Sequence, residues 1–486
     1  MKGFSREQLQ SMGFSYVMQH LEPSNCYGLE KKQQINWYTR QEKDLLHSQL
    51  EQLSRFIAIH TENPERIESL SLVLHRFKEI RGILRKVENA AEFLDETELF
   101  ELKNFAIDMQ HLIYEVGRIN FHFDALAPLD MQAVIKILNP EEQITRTFSI
   151  YEEYSPALAA IRKEKKAIEQ RIAALEEDAS SLHLLRRQIA ERERIEENHI
   201  KSRLAEEIRP HCQVLQTNLA YIAELDFIIA KSSLAIRFHG TKPNFIDTQS
   251  IQLDGAVNPY VAAALERNGK EFTPVSMLLK NGANVLTGAN MGGKTVALAT
   301  VTLNILLAHC GFYVYASRLD LPVLDYIFYL TSDDQSITQG LSTFGAEIAE
   351  VTRLLEEMRT KQGFCALDEF AKGTNPEEGQ MMVKALLRYA EIHQAFCLVS
   401  THFSGVVMEG MKHFQVVGLK KAELSKDLTV KTRQFYTFLQ DLMDFNIEAV
   451  EWDSPTPKDA LRVAALMGIQ EEFLALVNEK YKETSW

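Results

Sequence analysis

The chain has 486 residues, of which 45% are hydrophobic, and it carries a formal net charge of −14 at pH 7. This length predicts about two to four domains, and the acidic balance excludes a protein coated in basic surface, so any nucleic-acid contact is confined to one face. Five scattered cysteines without a C-x-x-C motif favour free thiols in a reducing compartment. The start of the chain lacks the apolar core of a signal peptide, and no apolar run is long enough to cross a bilayer, so we expect a cytoplasmic protein without a membrane partner.

The first part of the chain is predicted to be helical. From about residue 30 to residue 119, apolar side chains recur at three- and four-residue steps, which is typical of amphipathic helices. A short helix at residues 131–138 is expected after Asp130, which could act as its N-cap. We therefore assign residues 1–150 to an all-α core.

Two long helices are predicted next. Ser155 and Pro156 suit a helix start, because Ser is a good N-cap and Pro fits the first turn, and residues 157–208 contain neither Gly nor Pro. A turn near residues 178–181 would join the helices into an antiparallel hairpin, and a further helix at residues 215–235 would return to the core, so we assign residues 151–237 to this element. The hairpin is either a solvated coiled-coil arm that only connects parts of the protein, or a lever that transmits motion.

The remaining residues, 238–486, alternate short apolar runs with helical patterns, which predicts a mostly parallel, doubly wound α/β sheet. An antiparallel hairpin is expected around residues 428–432, and a closing pair of short helices at residues 459–486. The predicted strands are residues 284–286, 312–316, 327–330, 364–367 and 396–400. The predicted helices are residues 296–309, 344–360, 376–393 and 405–411.

A phosphate-binding loop is predicted between the first of these strands and its helix. Residues 287–295 fit the pattern G-x-x-x-x-G-K-[ST], in which glycines let the backbone approach phosphate and the helix N-terminus offers free N–H groups. Lys294 is expected to reach the β- and γ-phosphates of ATP, and Thr295 to hold Mg²⁺. The predicted nucleotide-binding residues are Gly288, Ala289, Asn290, Met291, Gly292, Gly293, Lys294 and Thr295.

Two further strand ends carry candidate catalytic residues. Asp368 and Glu369 follow the apolar run 364–367, where a P-loop enzyme needs an Asp for Mg²⁺ and a Glu to activate the attacking water. His402 follows the run 396–400 and could sense the γ-phosphate or orient the water, since ligands bind at the carboxyl ends of parallel strands. We therefore assign catalytic roles to Lys294, Glu369 and His402, and a metal-binding role to Asp368.

Ser342 and Thr343 precede the predicted helix 344–360. One interpretation is an ordinary N-cap, with Glu347 in the first turn. The other is a phosphate site, because a helix N-terminus with hydroxyl groups binds phosphate, and it could do so in trans across a dimer.

These motifs occur in the order typical of the MutS family of ATPases, which the chain therefore resembles. Features shared with the Smr-containing MutS paralogues in particular include Asp334-Gln-Ser-Ile337 and Gly373-Thr-Asn-Pro-Glu-Glu-Gly379. The family motifs are residues 287–295, Leu341-Ser-Thr-Phe344, Leu367-Asp-Glu369 with Gly373-Thr374, and Thr401-His402.

The resemblance implies a P-loop ATPase domain of the ABC/MutS-like class, preceded by an all-α core with a long helical lever hairpin. It implies a homodimer with two composite ATP sites, in which Ser342 approaches the nucleotide of the other subunit, and a C-terminal helical segment that serves dimerisation. The sequence departs from the family at Ala289, where a proline is usual. We also expect the mismatch-recognition, clamp and Smr domains to be absent.

Three functions remain open at this stage. The first is a MutS-like ATPase that acts on mismatched or branched DNA, for which Arg162 to Lys166 and Arg186-Arg187 could contact phosphates. The second is a protein-remodelling ATPase similar to the MutS-related component of reactivating factors for cobalamin-dependent aminomutases, which the acidic charge favours. The third is an ABC-type structural-maintenance ATPase, which is disfavoured because Leu341-Ser-Thr-Phe344 replaces its LSGG-like signature.

Overall fold

The computed structural model describes residues 3–89, 94–141, 144–174, 179–288, 293–331, 343–419, 443–455, 469–470 and 472–477. The chain divides into two compact units. The mixed unit contains residues 1–21, 35–54 and 233–486, and the helical unit contains residues 22–34 and 55–232. No helix in the described part of the chain is long and apolar enough to span a membrane.

Helices make up most of the first half, whereas strands and helices alternate in the second. The helices are α1 (Arg6–Ser11), α2 (Phe14–Gln19), α3 (Cys26–Gln33), α4 (Lys43–Glu62), α5 (Pro64–Leu74), α6 (Arg81–Glu88), α7 (Glu96–Ile119), α8 (Gln132–Leu138), α9 (Pro156–Ala173), α10 (Ala179–Ile208), α11 (Cys212–Arg237), α12 (Pro259–Glu266), α13 (Lys294–His309), α14 (Thr343–Thr360) and α15 (Pro376–Ile392). The strands are β1 (Asn244–Phe245), β2 (Ser250–Ala256), β3 (Val275–Lys280), β4 (Gly282–Thr287), β5 (Arg318–Leu321), β6 (Tyr326–Leu330), β7 (Gly363–Asp368), β8 (Phe396–Ser400), β9 (Lys412–Leu419) and β10 (Met443–Val450).

The helical unit is organised around α7, whose ends are set by local sequence. The Asp95 carboxylate accepts a hydrogen bond from the Glu98 N–H, and the Glu98 carboxylate accepts one from the Asp95 N–H, which completes a capping box. Asn120 ends the helix in the left-handed region at φ 52°. One face of α7 is buried, including Leu102 and Met109, so this helix forms part of the core of the unit.

The predicted pair of long helices is present as α9 and α10. The Ser155 hydroxyl caps α9 by accepting from the Leu158 N–H. Arg162 pairs with Glu193, and Glu169, further along α9, pairs with Arg186, nearer the start of α10. These pairings show that the helices run antiparallel, whereas their action as a lever stays a prediction.

The main sheet of the mixed unit has six strands in the order β10-β9-β4-β8-β7-β6. All neighbouring pairs are parallel except β10 with β9, so the expectation of a mostly parallel sheet is confirmed. Every residue of β4, β7 and β8 is buried, which explains why these strands read as continuous apolar runs. Cys365 and Cys397 are buried free thiols on adjacent strands, as predicted.

A second sheet of four strands, in the order β1-β5-β2-β3, was not predicted. It contains the antiparallel pairs β2–β3 and β2–β5 and the parallel pair β1–β5. Helix α13 is buried along nearly its whole length and contacts strands of both sheets. This burial fixes the helix that follows the phosphate loop.

Two predicted elements are wrong. Residues 312–316 form no regular strand: the Tyr315 N–H bonds to the side chain of Asn304, and the segment makes one isolated bridge, between Thr241 and Val314. Residues 405–411 form no helix, because Gly405 and Gly410 adopt positive φ values of 64° and 91°, which interrupt helical geometry.

Two smaller expectations have other outcomes. Asp130 does not occupy the N-cap position of α8, which Met131 takes, although the Asp130 carboxylate accepts a bond from the Gln132 N–H. The expected hairpin at residues 428–432 and most of the closing segment 459–486 lie outside the described residues.

Candidate nucleotide-binding site

The predicted site residues follow three adjacent strands at one edge of the main sheet. Strands β4, β8 and β7 are neighbours, and their register aligns Leu286 with Ser400 and Ser400 with Asp368. Because all three strands are parallel, their carboxyl ends meet at this edge. The residues that directly follow these three strands are therefore close together. They are Gly288 after β4, Glu369 after β7 and Thr401 after β8.

The phosphate loop requires glycine at both of its described ends. Gly288 has φ 141°, and a Cβ there would lie 3.0 Å from Cβ of Val416. Gly293 has φ 81° and is the N-cap of α13, where a Cβ would lie 3.2 Å from the Phe445 ring. A side chain at either position would strain the backbone or press on its neighbour. Residues Ala289, Asn290, Met291 and Gly292 lie outside the described residues.

Lys294 is the first residue of α13 and is only 5% exposed. Its Nζ donates to the Gly288 carbonyl oxygen at 2.9 Å and lies 3.9 Å from Glu369 Oε1. Burial lowers the pKa of Lys294, against the opposing effect of the Glu369 and Asp368 carboxylates. The Lys294 ammonium group thus contacts the phosphate loop directly, next to the place where it is predicted to bind phosphate.

Thr295 and Asp368 form the candidate metal site. Thr295 Oγ1 donates to Asp368 Oδ2 at 2.6 Å, and the Ser400 hydroxyl donates to the other carboxylate oxygen. A hydroxyl and a carboxylate in direct contact are oxygen ligands of the kind that Mg²⁺ takes beside phosphate. These residues therefore fit Mg²⁺, whose remaining ligands would come from nucleotide and water.

Glu369 lies at the centre of a charged cluster. Its Oε1 is 3.9 Å from both Lys294 Nζ and His402 Nδ1, and its Oε2 pairs with the Lys372 ammonium. Burial raises the pKa of Glu369, but Lys372, Lys294 and His402 outweigh it, so the pKa lies below its ordinary value. Glu369 is therefore ionised at neutral pH, as a general base must be.

His402 is partly exposed beside Glu369. Burial lowers its pKa, and Lys372 and Lys294 act in the same direction, whereas Glu369 opposes them. The segment is anchored by Thr401, whose N–H donates to the Leu286 carbonyl oxygen and whose hydroxyl accepts from the Phe403 N–H. The imidazole is thus neutral at pH 7 and able to donate or accept one hydrogen bond.

Three residues near the site escaped the sequence analysis. Ser400 supports Asp368, Lys372 pairs with Glu369, and the His413 ring contacts the Thr287 hydroxyl at 2.8 Å, next to the loop. Lys372 could have been found from its place three residues after Glu369 in a tight turn. Ser342, the residue predicted to act in trans, lies outside the described residues.

A largely apolar cavity of about 540 Å³, which Lys270 and Glu271 also line, adjoins the start of α13. Gly293 and Val296 line it from the loop side, Phe272 and Val275 from one flank, and Phe445 from strand β10. Its walls offer flat and branched apolar side chains next to the phosphate loop, which suits an aromatic ring system.

Comparison with known proteins finds similarity to one family of ATPases. The sequence pattern of MutS domain V matches residues 284–451. The protein named Endonuclease MutS2 from Agathobacter rectalis is 31% identical over 219 residues, which are 44% of this chain and 26% of that protein. The protein of the same name from Caldicellulosiruptor bescii is 32% identical over 230 residues, which are 47% of this chain and 28% of that protein. The one from Streptococcus gordonii is 28% identical over 292 residues, or 59% of this chain and 34% of that protein. The chain thus spans about a quarter to a third of the length of these relatives. The chain is therefore similar to the MutS-family ATPases over a segment that matches their domain V.

Proposed function

We propose that the chain binds and hydrolyses ATP with Mg²⁺ at composite sites of a cytoplasmic homodimer, and that it uses this cycle to act on DNA. The observation that carries the ATPase proposal is the meeting of Lys294, the Thr295–Asp368 pair and Glu369 at one sheet edge. In this proposal residues 238–486 form the ATPase domain with a C-terminal dimerisation segment, residues 1–150 the helical core, and residues 151–237 the lever.

Phosphate binding follows from the loop and the start of α13. Lys294 Nζ now donates to the Gly288 carbonyl, and an ammonium group has further donors for the β- and γ-phosphate oxygens. The N–H groups at the start of α13 point toward the same space and favour negative charge. The cavity beside Gly293 would take the adenine base, since its apolar walls exclude water from a flat ring.

Hydrolysis depends on the carboxylates. Thr295 and Asp368 would hold Mg²⁺, which when bound neutralises charge on the phosphates. Glu369 remains ionised and can accept a proton from the attacking water. Neutral His402, 3.9 Å from Glu369, can orient that water or contact the γ-phosphate. Ser342 of the other subunit would complete the site.

The names of the relatives favour DNA as the object of the cycle, because each is called an endonuclease. The exposed basic side chains of the α9–α10 hairpin are the candidate DNA contacts, and substituting them tests the DNA proposal. Arg162 and Arg186 are engaged in ion pairs with glutamates of the opposite helix. Lys166 and Arg187 are exposed, and within the described residues no acidic partner contacts them, so they remain able to meet phosphate.

A protein-remodelling ATPase is the second candidate. Two observations favour it: the net charge of −14, and the pairing of much of the hairpin's positive charge with its own glutamates. In this alternative the ATPase site is unchanged, and a protein client replaces DNA.

The ATPase rate of the purified protein, measured with and without duplex, branched and single-stranded DNA at two salt concentrations, tests the proposal. We expect DNA to raise the rate, and the effect to weaken with salt. Lys294→Ala should remove ATP binding and all activity. Lys166→Ala with Arg187→Ala should weaken DNA stimulation and lower the salt slope by about one to two.

The control for charge is Arg353→Ala with Arg388→Ala, which removes two exposed arginines from α14 and α15 and should leave DNA stimulation intact. A rate that DNA leaves unchanged, but that a co-purifying protein raises, would reject the DNA role in favour of remodelling. ATP binding by Lys294→Ala that matches the wild type would reject the site itself.

A further inference from the structure

A buried carboxylate on α14 contacts the turn that carries the candidate base. Glu347 is 8% exposed, and its Oε1 accepts a hydrogen bond from the Ala371 N–H at 3.2 Å. No Lys, Arg or His forms an ion pair with it in the parts of the chain that the structure describes. Burial raises the pKa of Glu347, while the Ala371 N–H favours its charged form. Burying a carboxylate costs free energy unless hydrogen bonds or charges compensate it, so the contact with the Ala371 N–H calls for a functional explanation.

The turn after β7 holds two residues in an unfavourable backbone conformation. Glu369 has φ 50° and Ala371 has φ 61°, both in the left-handed region that residues other than glycine seldom adopt. Such a conformation persists only when its surroundings impose it. The turn is closed by a hydrogen bond of 3.2 Å from the Lys372 N–H to the Glu369 carbonyl oxygen, which joins the first and last of residues 369–372.

Ala371 is held from both sides. Its N–H is bound by Glu347 of α14, and its carbonyl oxygen packs against Gly379 of α15, where a Cβ would lie only 2.8 Å away. The same Cβ would lie 2.8 Å from the ring of Phe403, the residue after His402. Helices α14 and α15 therefore contact the N–H and the carbonyl oxygen of Ala371, which is fully buried and lies two positions after Glu369.

We propose that Glu347 is a positioning residue for ATP hydrolysis, which holds the turn 369–372 so that the Glu369 carboxylate faces Lys294 and His402. The proposal rests on the ATPase function above. Within the described residues, Glu347 forms no hydrogen bond or ion pair with Lys294, Thr295 or Asp368, so we expect its loss to act on the placement of the base and not on the binding of nucleotide. A purely structural role would instead change folding stability, or change binding and turnover together.

Steady-state kinetics of variants of the full chain test this role. Glu347→Ala should lower kcat for ATP by about tenfold or more while KM changes by less than about twofold, because only the step that needs the base is affected. Glu347→Gln keeps an oxygen that can accept from the Ala371 N–H and should recover kcat to within about threefold of the wild type. Gly379→Ala should lower kcat with KM retained, since its Cβ displaces the Ala371 carbonyl from the other side.

Glu350→Ala is the matched control, because Glu350 lies three residues along the same helix and pairs with Arg353 at the surface. It should behave as the wild type. A folded Glu347→Ala protein with wild-type kcat would overturn the proposal, as would a Glu347→Gln protein no better than Glu347→Ala. If Glu347→Ala does not fold, Gly379→Ala with wild-type kcat would overturn it. A wild-type protein that binds ATP without hydrolysing it would reject the proposed function, and this inference with it, before any variant is compared.

Discussion

His309, the last residue of α13, joins two backbone segments through its buried ring. Its Nδ1 lies 2.9 Å from the Ile305 carbonyl oxygen, and its Nε2 accepts from the Leu324 N–H at 3.0 Å. Since Nε2 accepts a hydrogen bond, the proton of the neutral ring lies on Nδ1. Burial lowers the pKa of His309 to about 4. Protonation of the ring would break the hydrogen bond from the Leu324 N–H and place a positive charge in the protein interior.

This residue makes the stability of the mixed unit depend on pH. The pKa is about 4 in the folded state and about 6.5 in the unfolded state, so the unfolded state binds the proton first as the pH falls. The free energy of unfolding therefore decreases between pH 6.5 and 4, by about 3 kcal/mol for this group. Urea unfolding at a series of pH values measures the slope.

His309→Gln should be less stable at neutral pH but should show a shallower slope, because the titrating group is gone. His199→Gln removes a histidine whose side chain is 74% exposed, and its slope should match the wild type. An unchanged slope in His309→Gln would contradict the assignment.

The site residues that a single sequence can suggest are those whose chemistry is encoded locally. Lys294 and Thr295 are adjacent in one motif, and Asp368 and Glu369 end one apolar run. Ser400 and Glu347 contact Asp368 and Ala371 across 32 and 24 positions of the chain. Such contacts arise from strand order and helix packing, which a single sequence does not specify.

At the scale of elements, the α9–α10 hairpin depends on a small apolar seam. Ile161, Ile168, Leu182 and Ile189 form a separate buried cluster, and ion pairs such as Arg162–Glu193 and Glu169–Arg186 join the helices around it. Ion pairs near the surface contribute little each, so we expect this apolar seam to supply much of the stability of the pair.

Ile189→Ala should therefore loosen the hairpin selectively. Truncation of a buried isoleucine costs about 2–5 kcal/mol, and this cluster has only four buried members among the described residues, so we expect the hairpin to open locally. We expect faster amide hydrogen exchange in α9 and α10, with ATP binding retained. Leu184→Ala, on the same helix but 61% exposed, is the control and should leave exchange unchanged. Uniform acceleration across the whole chain would contradict a separate hairpin.

Elements with a strong local pattern were predicted, and weak ones were not. Strands β4, β7 and β8 follow from continuous apolar runs, and α9 and α10 from long periodic stretches without Gly or Pro. In the second sheet, β1 has two residues and β5 four, which is too short for periodicity to register. Strands β2 and β3 are longer, with seven and six residues, and the sequence analysis missed them although β3 alternates buried and exposed residues. Residues 1–21 and 35–54 belong to the mixed unit through contacts, which chain order does not reveal.

At the scale of the whole molecule, the proposed composite site makes ATP a link between two copies of the chain. Each site would take Lys294 and Glu369 from one subunit and Ser342 from the other. A Glu369→Gln subunit keeps Lys294 and the Thr295–Asp368 pair but lacks a base, so it should bind ATP and hold it. We expect ATP to convert this variant to a dimer in analytical ultracentrifugation, and Lys294→Ala to remain monomeric under the same conditions.

Mixing two inactive variants tests whether each ATP site takes residues from both subunits, or whether each subunit of the dimer contains a complete site of its own. Lys294→Ala lacks its own phosphate contact but supplies Ser342, while Ser342→Ala supplies an intact Lys294. In a mixed dimer one of the two sites contains both wild-type residues, so an equimolar mixture should recover ATPase activity that neither variant shows alone. Recovery requires the two residues to meet across the interface, because no site within a single subunit of the mixture contains both. A mixture no more active than the average of its components would show that Ser342 acts within its own subunit or not at all.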